Sequence, residues 1–327
     1  MTTARALARR VLASAPLYAA LRRRADHHGG TLFLTYHTLG PDDEAFDAWT
    51  VVRRGDFLRQ IEALRQHFDI VSIDEALRCP GGARARVVLT FDDGHTGWHD
   101  HLLPIVEREA VPVTLYVATS HIEDARPYWF DRVMNAVQVS SPVTVDLSRF
   151  GLGVRRFGDG VGPQAWMAVS SLLEDLKAGS EARRDAVVAA VEQAVEGKPQ
   201  RRFEPLRPLK LAQLRTVADA GPLVTIAAHS DDHRLLDRMP IAEARASLER
   251  CREKLRAWTG RDVAHVAFPN GNCNAALSRL VAEMGFASAA TTRTGRHRAG
   301  DDVFDLPRVF VGRYDDLDRF KLALVGL

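Results

Sequence analysis

Apolar residues fall along the chain in two alternating patterns. One is a set of short, nearly unbroken runs: Thr31–Tyr36, Ile70–Ile73, Val87–Phe91, Val113–Ala118, Leu223–Ala228, Val263–Phe268, Ala287–Thr292 and Val309–Val311. Runs of this length predict strands, and the most β-branched and apolar of them predict strands covered on both faces, as in a parallel sheet. The other pattern has helical spacing. Phe57, Ile61, Leu64 and Phe68 recur behind Asp56, a candidate cap. Leu102, Ile105 and Val106 give the inner face of a helix over Trp98–Glu109. Ile241, Ala244, Leu248, Cys251, Leu255 and Trp258 alternate three and four apart ahead of Gly260, a stop signal. Leu277, Leu280, Val281 and Met284 precede Gly285 in the same way.

Strand, helix and strand at this spacing form a βαβ unit. About seven such strands predict an α/β fold, first a distorted (β/α) barrel and second an open doubly wound sheet. Both place a ligand at the carboxyl ends of the strands. The rhythm breaks over about 128–205, where Tyr128, Trp129 and Phe130 lead into a glycine-rich stretch from Gly151 to Gly162. Helical patterns follow over Gln164–Lys177 and Glu181–Glu196. This reads as a helical insertion, and insertions between strand and helix sit on the functional face of a barrel.

The chain has 327 residues, enough for two average domains or one large barrel with an insertion. With 46% hydrophobic residues it can bury a sizeable core. A net charge of +2 creates no field that selects nucleic acid. The three cysteines, Cys79, Cys251 and Cys273, form no disulfide framework and no CxxC motif. Residues 1–30 form a basic segment with Arg5, Arg9, Arg10, Arg22, Arg23 and Arg24 around an apolar stretch that holds Pro16. That stretch lacks the roughly 18 apolar residues of a span and a small-residue cleavage site. It reads as a helix packed on the domain of residues 31–327, with peripheral contact to an anionic membrane as the alternative. The expected location is the cytoplasm or its membrane face.

The chemistry gathers at strand ends. His37, Asp92-Asp93-Gly94, His229 and Pro269-Asn270-Gly271 each end one of the runs. Two adjacent carboxylates at the mouth of a buried strand are costly to desolvate without a counter-charge, a metal or a proton. A solvated Asp-Asp-Gly turn is the plain alternative. His229-Ser230-Asp231-Asp232-His233 places two histidines four apart, which on a helical turn face one way and can hold a divalent ion. Two histidines and one carboxylate suit zinc with an open position, or iron(II).

Thr90-Phe91-Asp92-Asp93-Gly94 and His229-Ser230-x-x-His233 resemble the first two motifs of the polysaccharide deacetylases, the NodB-homology enzymes of carbohydrate esterase family 4. Phe268-Pro269-Asn270-Gly271 resembles the third motif in degenerate form, and Thr35-Tyr36-His37 a Tyr-His strand found in one bacterial subgroup. The resemblance runs from about Thr31 to the end, interrupted by the insertion. It implies a distorted barrel and metal-dependent removal of an N-acyl group, usually acetyl, from an amino sugar. It implies that Asp93, His229 and His233 hold the metal, expected to be zinc, and that Asp92 is the general base. The residues alone do not divide the two aspartates between these roles. Pro269, Asn270 and Gly271 would contact substrate, with the Asn270 N–H facing the oxyanion.

The sequence departs from the family pattern twice. Ala267 stands where the third motif often carries an Arg that orients the base, and no C-terminal Leu-x-His supplies an acid. Arg308 is a candidate replacement for the Arg, against an ordinary surface ion pair. His37 is the candidate acid because its strand ends on the functional face, with His297 next in line. Trp129 is a candidate to stack on a sugar ring, against a place in the insertion's own core. The expected partner is an N-acetylated glycan or lipid-linked sugar. The alternatives are a non-catalytic glycan-binding domain of the same fold and a deformylase on a lipid-linked sugar.

Overall fold

Eight strands form one all-parallel sheet: β1 (Thr31–Tyr36), β2 (Phe68–Ile70), β3 (Ala85–Asp93), β4 (Val113–Val117), β5 (Val224–Ala228), β6 (His265–Ala267), β7 (Ser288–Ala290) and β8 (Val309–Phe310). The computed structural model describes residues 3–27, 29–43, 46–78 and 84–327, so Cys79 lies outside the described residues. The spatial order is β7-β6-β5-β4-β3-β1-β8, with the short β2 beside the start of β3. The two ends of this path meet at a parallel bridge between Ala290 and Leu306. The sheet is therefore a distorted (β/α) barrel rather than an open doubly wound sheet.

Side-chain parity along the strands separates two cores. Leu32, Leu34, Val87, Leu89, Phe91, Val113, Leu115, Val224 and Ile226 face the surrounding helices. Phe33, Val88, Tyr116, Ala227, Ala267 and Ala290 face one another inside the barrel. The interior is narrow, and alanines on three strands leave room for the larger Phe33 and Tyr116. By the same parity Thr90 and Asp92 follow Val88 onto the inner face.

Several boundaries differ from the sequence reading. The run expected over Ile70–Ile73 is a strand at Phe68–Ile70 followed by a helix at Ile73–Arg78. The chain leaves the sheet there so that Val71, Ile73 and Ala76 can close the barrel interior. Asp56 does not cap; it sits in the first turn of the Arg54–Arg65 helix, behind Arg53. Trp98–Glu109 begins with a wide π turn over Trp98–Leu102 before the regular helix at Leu103–Glu109. A small parallel pair, Thr38–Gly40 with Val51–Arg53, lies beyond β1.

The segment over 128–205 carries the helices Trp129–Ala136, Pro163–Lys177 and Glu181–Val195 and an unanticipated antiparallel hairpin, Val143–Asp146 with Val154–Phe157. It has its own apolar cluster, built on Val133, Val145, Leu172, Leu176, Val188 and Val191, which also takes in Phe46, Ala48 and Val51. The N-terminal segment forms helices Thr3–Leu12 and Ala15–His27, packed on the C-terminal helix Leu317–Leu324. Arg296 pairs with Asp26 at 3.1 Å and ties the second of these helices to the barrel. Among the described residues no helix is long and apolar enough to cross a membrane.

Candidate active site

The carboxyl ends of β3, β5 and β6 bring five of the expected residues to one cavity of about 520 Å³: Asp92, Asp93, His229, His233 and Asn270. His37 and Gly271 line the same cavity, as does Arg308. Asp92 leaves β3 on its inner face. The next residue, Asp93, has φ of +82° and Gly94 has +90°, so the chain turns sharply and aims the second carboxylate away from the first. Adjacent aspartates are thereby given different neighbours. That division could not be read from the sequence pattern.

Asp93 faces the histidines. Its Oδ1 lies 3.5 Å from His229 Nε2 and 3.3 Å from His233 Nε2. The three ligand atoms lie within 4.8 Å of one another. His229 ends β5, and its Nδ1 lies 2.8 Å from the Ala267 carbonyl, so Nδ1 carries the hydrogen and Nε2 is left to point at the carboxylate. The 229–233 segment is not the helical turn that its spacing allowed. Ser230 and His233 have φ of +63° and +58°, and the His233 N–H donates to Ser230 Oγ at 3.0 Å. Four of the six described non-glycine residues with positive φ are Asp93, Ser230, His233 and Asn270. Such conformations are costly for ordinary residues and collect where geometry matters more than stability.

Burial opposes charge on Asp93 and His229 alike. Hydrogen bonds overcome it, holding Asp93 well below the usual carboxylate range and raising His229 above an ordinary imidazole. A carboxylate and two Nε2 atoms, with the Ala267 carbonyl fixing the His229 ring, match the donor set of a divalent-metal centre with open positions.

Asp92 has a different partner. Arg308 donates from Nη1 to Oδ1 at 2.7 Å and from Nη2 to Oδ2 at 2.8 Å, a bidentate pair buried at both ends. Arg308 Nε donates to the Thr291 carbonyl at 3.0 Å, and its guanidinium lies 5.5 Å from the Tyr116 ring centre. The surface ion pair weighed for Arg308 is thus excluded, since only 1% of its side chain is exposed. Burial alone would raise Asp92; the Arg308 charge and hydrogen bonds, with His229 beside them, hold it below the ordinary carboxylate range. Ala267, on the inner face of β6, leaves the barrel interior open for this arginine to enter from the other end of the sheet path.

His37 is half-buried, packed between the rings of Trp49 at 5.5 Å and Phe310 at 6.5 Å. Among the described residues its Nδ1 has no hydrogen-bond partner, and burial lowers its pKa. Its carbonyl accepts from Trp98 Nε1 at 2.6 Å. Trp98 reaches it because Gly97 packs against Thr38 and Leu39, where an added Cβ would lie 2.2 Å from Thr38 Oγ1. His297 is elsewhere. It bridges Thr31 at the amino end of β1, across the barrel from the cavity, so the expectation of His297 as a reserve acid fails on position.

Asn270 lies in the Pro269–Gly271 turn, and its Oδ1 accepts from Lys177 Nζ of the insertion at 3.0 Å. Gly271 has φ of +70° and packs on Thr292, where a Cβ would come within 2.1 Å of Cγ2. Trp129 does not line the cavity of Asp92 and Asp93; it lines an adjoining lobe and also rests on the insertion's apolar cluster. Two contacts that sequence patterns did not reveal clamp the insertion to β3. The Tyr128 hydroxyl donates to the Asp93 carbonyl at 2.5 Å, and Asp131 bonds His95 Nε2 at 3.0 Å, both side chains being buried.

The chain matches one family model in sequence and several solved structures in fold. The polysaccharide deacetylase family model matches residues 80–145 and 159–289, leaving out most of the insertion's hairpin. No curated protein matches the sequence. Among solved structures, Streptococcus pyogenes deacetylase PplD in complex with acetate has 14% identity, 90% of this chain and 97% of that one covered, and a TM-score of 0.58. IcaB from Ammonifex degensii has 17% identity, coverage of 91% and 97%, and a TM-score of 0.53. The BpsB deacetylase domain from Bordetella bronchiseptica has 18% identity, coverage of 86% and 95%, and a TM-score of 0.50. At these identities the structural likeness is one of fold, and the family assignment rests on the sequence match over most of the chain. The chain belongs to the polysaccharide deacetylase family.

Proposed function

We propose that this protein is a metal-dependent hydrolase that removes an N-acyl group, normally acetyl, from an amino sugar of a polysaccharide or glycan precursor. One observation carries the reading: Asp92, held by both oxygens to buried Arg308, opens on the same cavity as Asp93, His229 and His233. A binding domain needs no second, separately oriented carboxylate beside a metal set. This counts against the non-catalytic alternative.

A divalent ion such as zinc held by Asp93, His229 and His233 would supply Lewis acidity, lowering the pKa of a water and polarising the acyl carbonyl. Asp92 is the base that takes the water's proton as the oxygen attacks the acyl carbon. Arg308 keeps its carboxylate ionised and fixes the direction of both oxygens. The Asn270 N–H, at the cavity wall, faces the developing oxyanion. His37 delivers the proton with which the amine departs. Its lowered pKa means that it gives that proton up readily and must be recharged at each turnover.

Zinc-loaded protein incubated with N-acetylated glycans should release acetate and generate free amine. Formate from N-formyl sugars with no acetate would move the assignment to a deformylase. Binding of glycans without release of either acid would establish the non-catalytic reading.

A further inference from the structure

The metal-side cavity opens into a second lobe of about 230 Å³, sharing Phe130, Lys177, His233 and Asn270 with it. Trp129 and Phe130, 5.5 Å apart and nearly perpendicular, form its apolar wall. Four cationic side chains line it, Lys177, Arg184, Arg234 and Arg238, against two carboxylates, Glu181 and Asp232. Some of this charge is already matched. Glu174 holds Lys177 at 2.7 Å, and Asp232 holds Arg234 at 2.6 Å.

Arg184 and Arg238 are different. Neither forms an ion pair among the described residues. Arg238 donates to the Lys177 carbonyl at 3.1 Å. Arg184 lies over the Trp129 ring with its guanidinium 5.2 Å from the ring centre. Guanidinium stays charged at any working pH and offers paired donors that fit a carboxylate or a phosphate. Stacked on an aromatic ring, it is also held in place for that contact.

We infer that this lobe is a subsite for an anionic group on the substrate, next to the sugar that carries the acyl group. The inference rests on the proposed function and narrows it: the substrate is an acidic glycan unit, charged through a sugar carboxylate or a phosphate ester. One sugar lies against Trp129, and its negative group meets Arg184 and Arg238 while the neighbouring acylamino group reaches Asp92 and Asp93.

The test is calorimetric binding to the zinc-loaded full chain, which needs no turnover and so stands even if acetate release fails. The probes are N-acetylglucosamine 1-phosphate, a glucuronate–N-acetylglucosamine disaccharide and uncharged diacetylchitobiose. At least one anionic probe should bind about tenfold or more tighter than the neutral one. The better anionic probe identifies phosphate or carboxylate as the source of charge. Arg184→Ala combined with Arg238→Ala should abolish this preference and leave the neutral probe within about twofold. Arg184→Lys in the Arg238 background should retain part of it. Repeating the series in His233→Ala separates anion binding at the arginines from anion binding at the metal, and the preference should persist there. Equal affinity for charged and neutral probes, equal loss of both in the double variant, or disappearance of the preference in His233→Ala would each overturn the inference.

Discussion

Arg308, immediately before β8 at one end of the sheet path, reaches into the barrel interior to Asp92 on β3, two strands away, and closes on both carboxylate oxygens at 2.7 and 2.8 Å. Under the proposed function Arg308 supplies the cation that the third motif lacks. Arg308→Met should keep the metal and lower kcat by about 10–100-fold, because the base loses both hydrogen bonds that orient it. Without the guanidinium, burial dominates and the Asp92 pKa rises, so the acidic limb of the pH–rate profile moves to higher pH. A profile identical to wild type would remove Arg308 from the base's support.

His233→Ala and Asp92→Asn separate the two roles assigned to neighbouring aspartates. The first should lose stoichiometric metal by elemental analysis. The second should retain it and lose turnover. In the wild type, free metal at about 100 times its Kd would stabilise the fold by about 2.7 kcal/mol. Chelation should therefore lower Tm, and His233→Ala should make Tm insensitive to chelator. Loss of metal in Asp92→Asn would mean that both carboxylates coordinate.

His37→Ala tests the proton donor. The expected fall in kcat is roughly 10²–10⁴-fold, the range for losing acid–base help. A donor whose pKa is lowered by burial loses its proton on the acid side of an ordinary histidine. The alkaline limb should therefore begin below the usual imidazole range and vanish in the variant, with the metal unaffected. Near-normal kcat with the limb preserved would leave His37 as packing between Trp49 and Phe310.

Much of this arrangement was legible in the sequence, for a physical reason. Strands such as Val87–Phe91 and Val113–Val117 are apolar on both faces because both faces are covered, and their ends carry the polar residues. What the sequence hid were contacts between distant segments. Arg308 was visible only as an arginine before a short strand, and nothing local pointed it inward. His95 and Asp131 are far apart in the chain, and neither sits in a motif. The π turn at Trp98–Leu102 has the same spacing of apolar residues as an ordinary helix. The His229–His233 segment kept its spacing but not the helical turn, because positive φ at Ser230 and His233 sets its direction.

Trp129→Ala addresses the wall of the adjoining lobe. The ring is only partly buried, resting on the insertion's cluster with Arg184 across its face. KM should rise about tenfold or more, with kcat changed little and Tm lowered by a few degrees. A large fall in Tm with an unaltered KM would assign the ring to the insertion's core alone.

Gly271→Ala should be harmful at a position that touches no catalytic group. Its Cβ would fall 2.4 Å from the Thr292 backbone nitrogen at a φ of +70°, and both clash and strain act together. The turn would shift and carry the Asn270 N–H with it. A fall in kcat larger than the rise in KM is expected, beside a loss of Tm. Unchanged kcat would mean that the Asn270 N–H does not face the reacting carbonyl.

The Tyr128 hydroxyl bonded to the Asp93 carbonyl has a consequence for how this protein can change over evolution or in the hands of an engineer. The insertion cannot be trimmed as a spare module. Its first residue satisfies the buried carbonyl of Asp93, and leaving such a group unpaired costs about 1–3 kcal/mol. A shortened barrel would have to acquire a new donor at that carbonyl in the same step, and so the length of the surface segment and the shape of the reaction centre are inherited together.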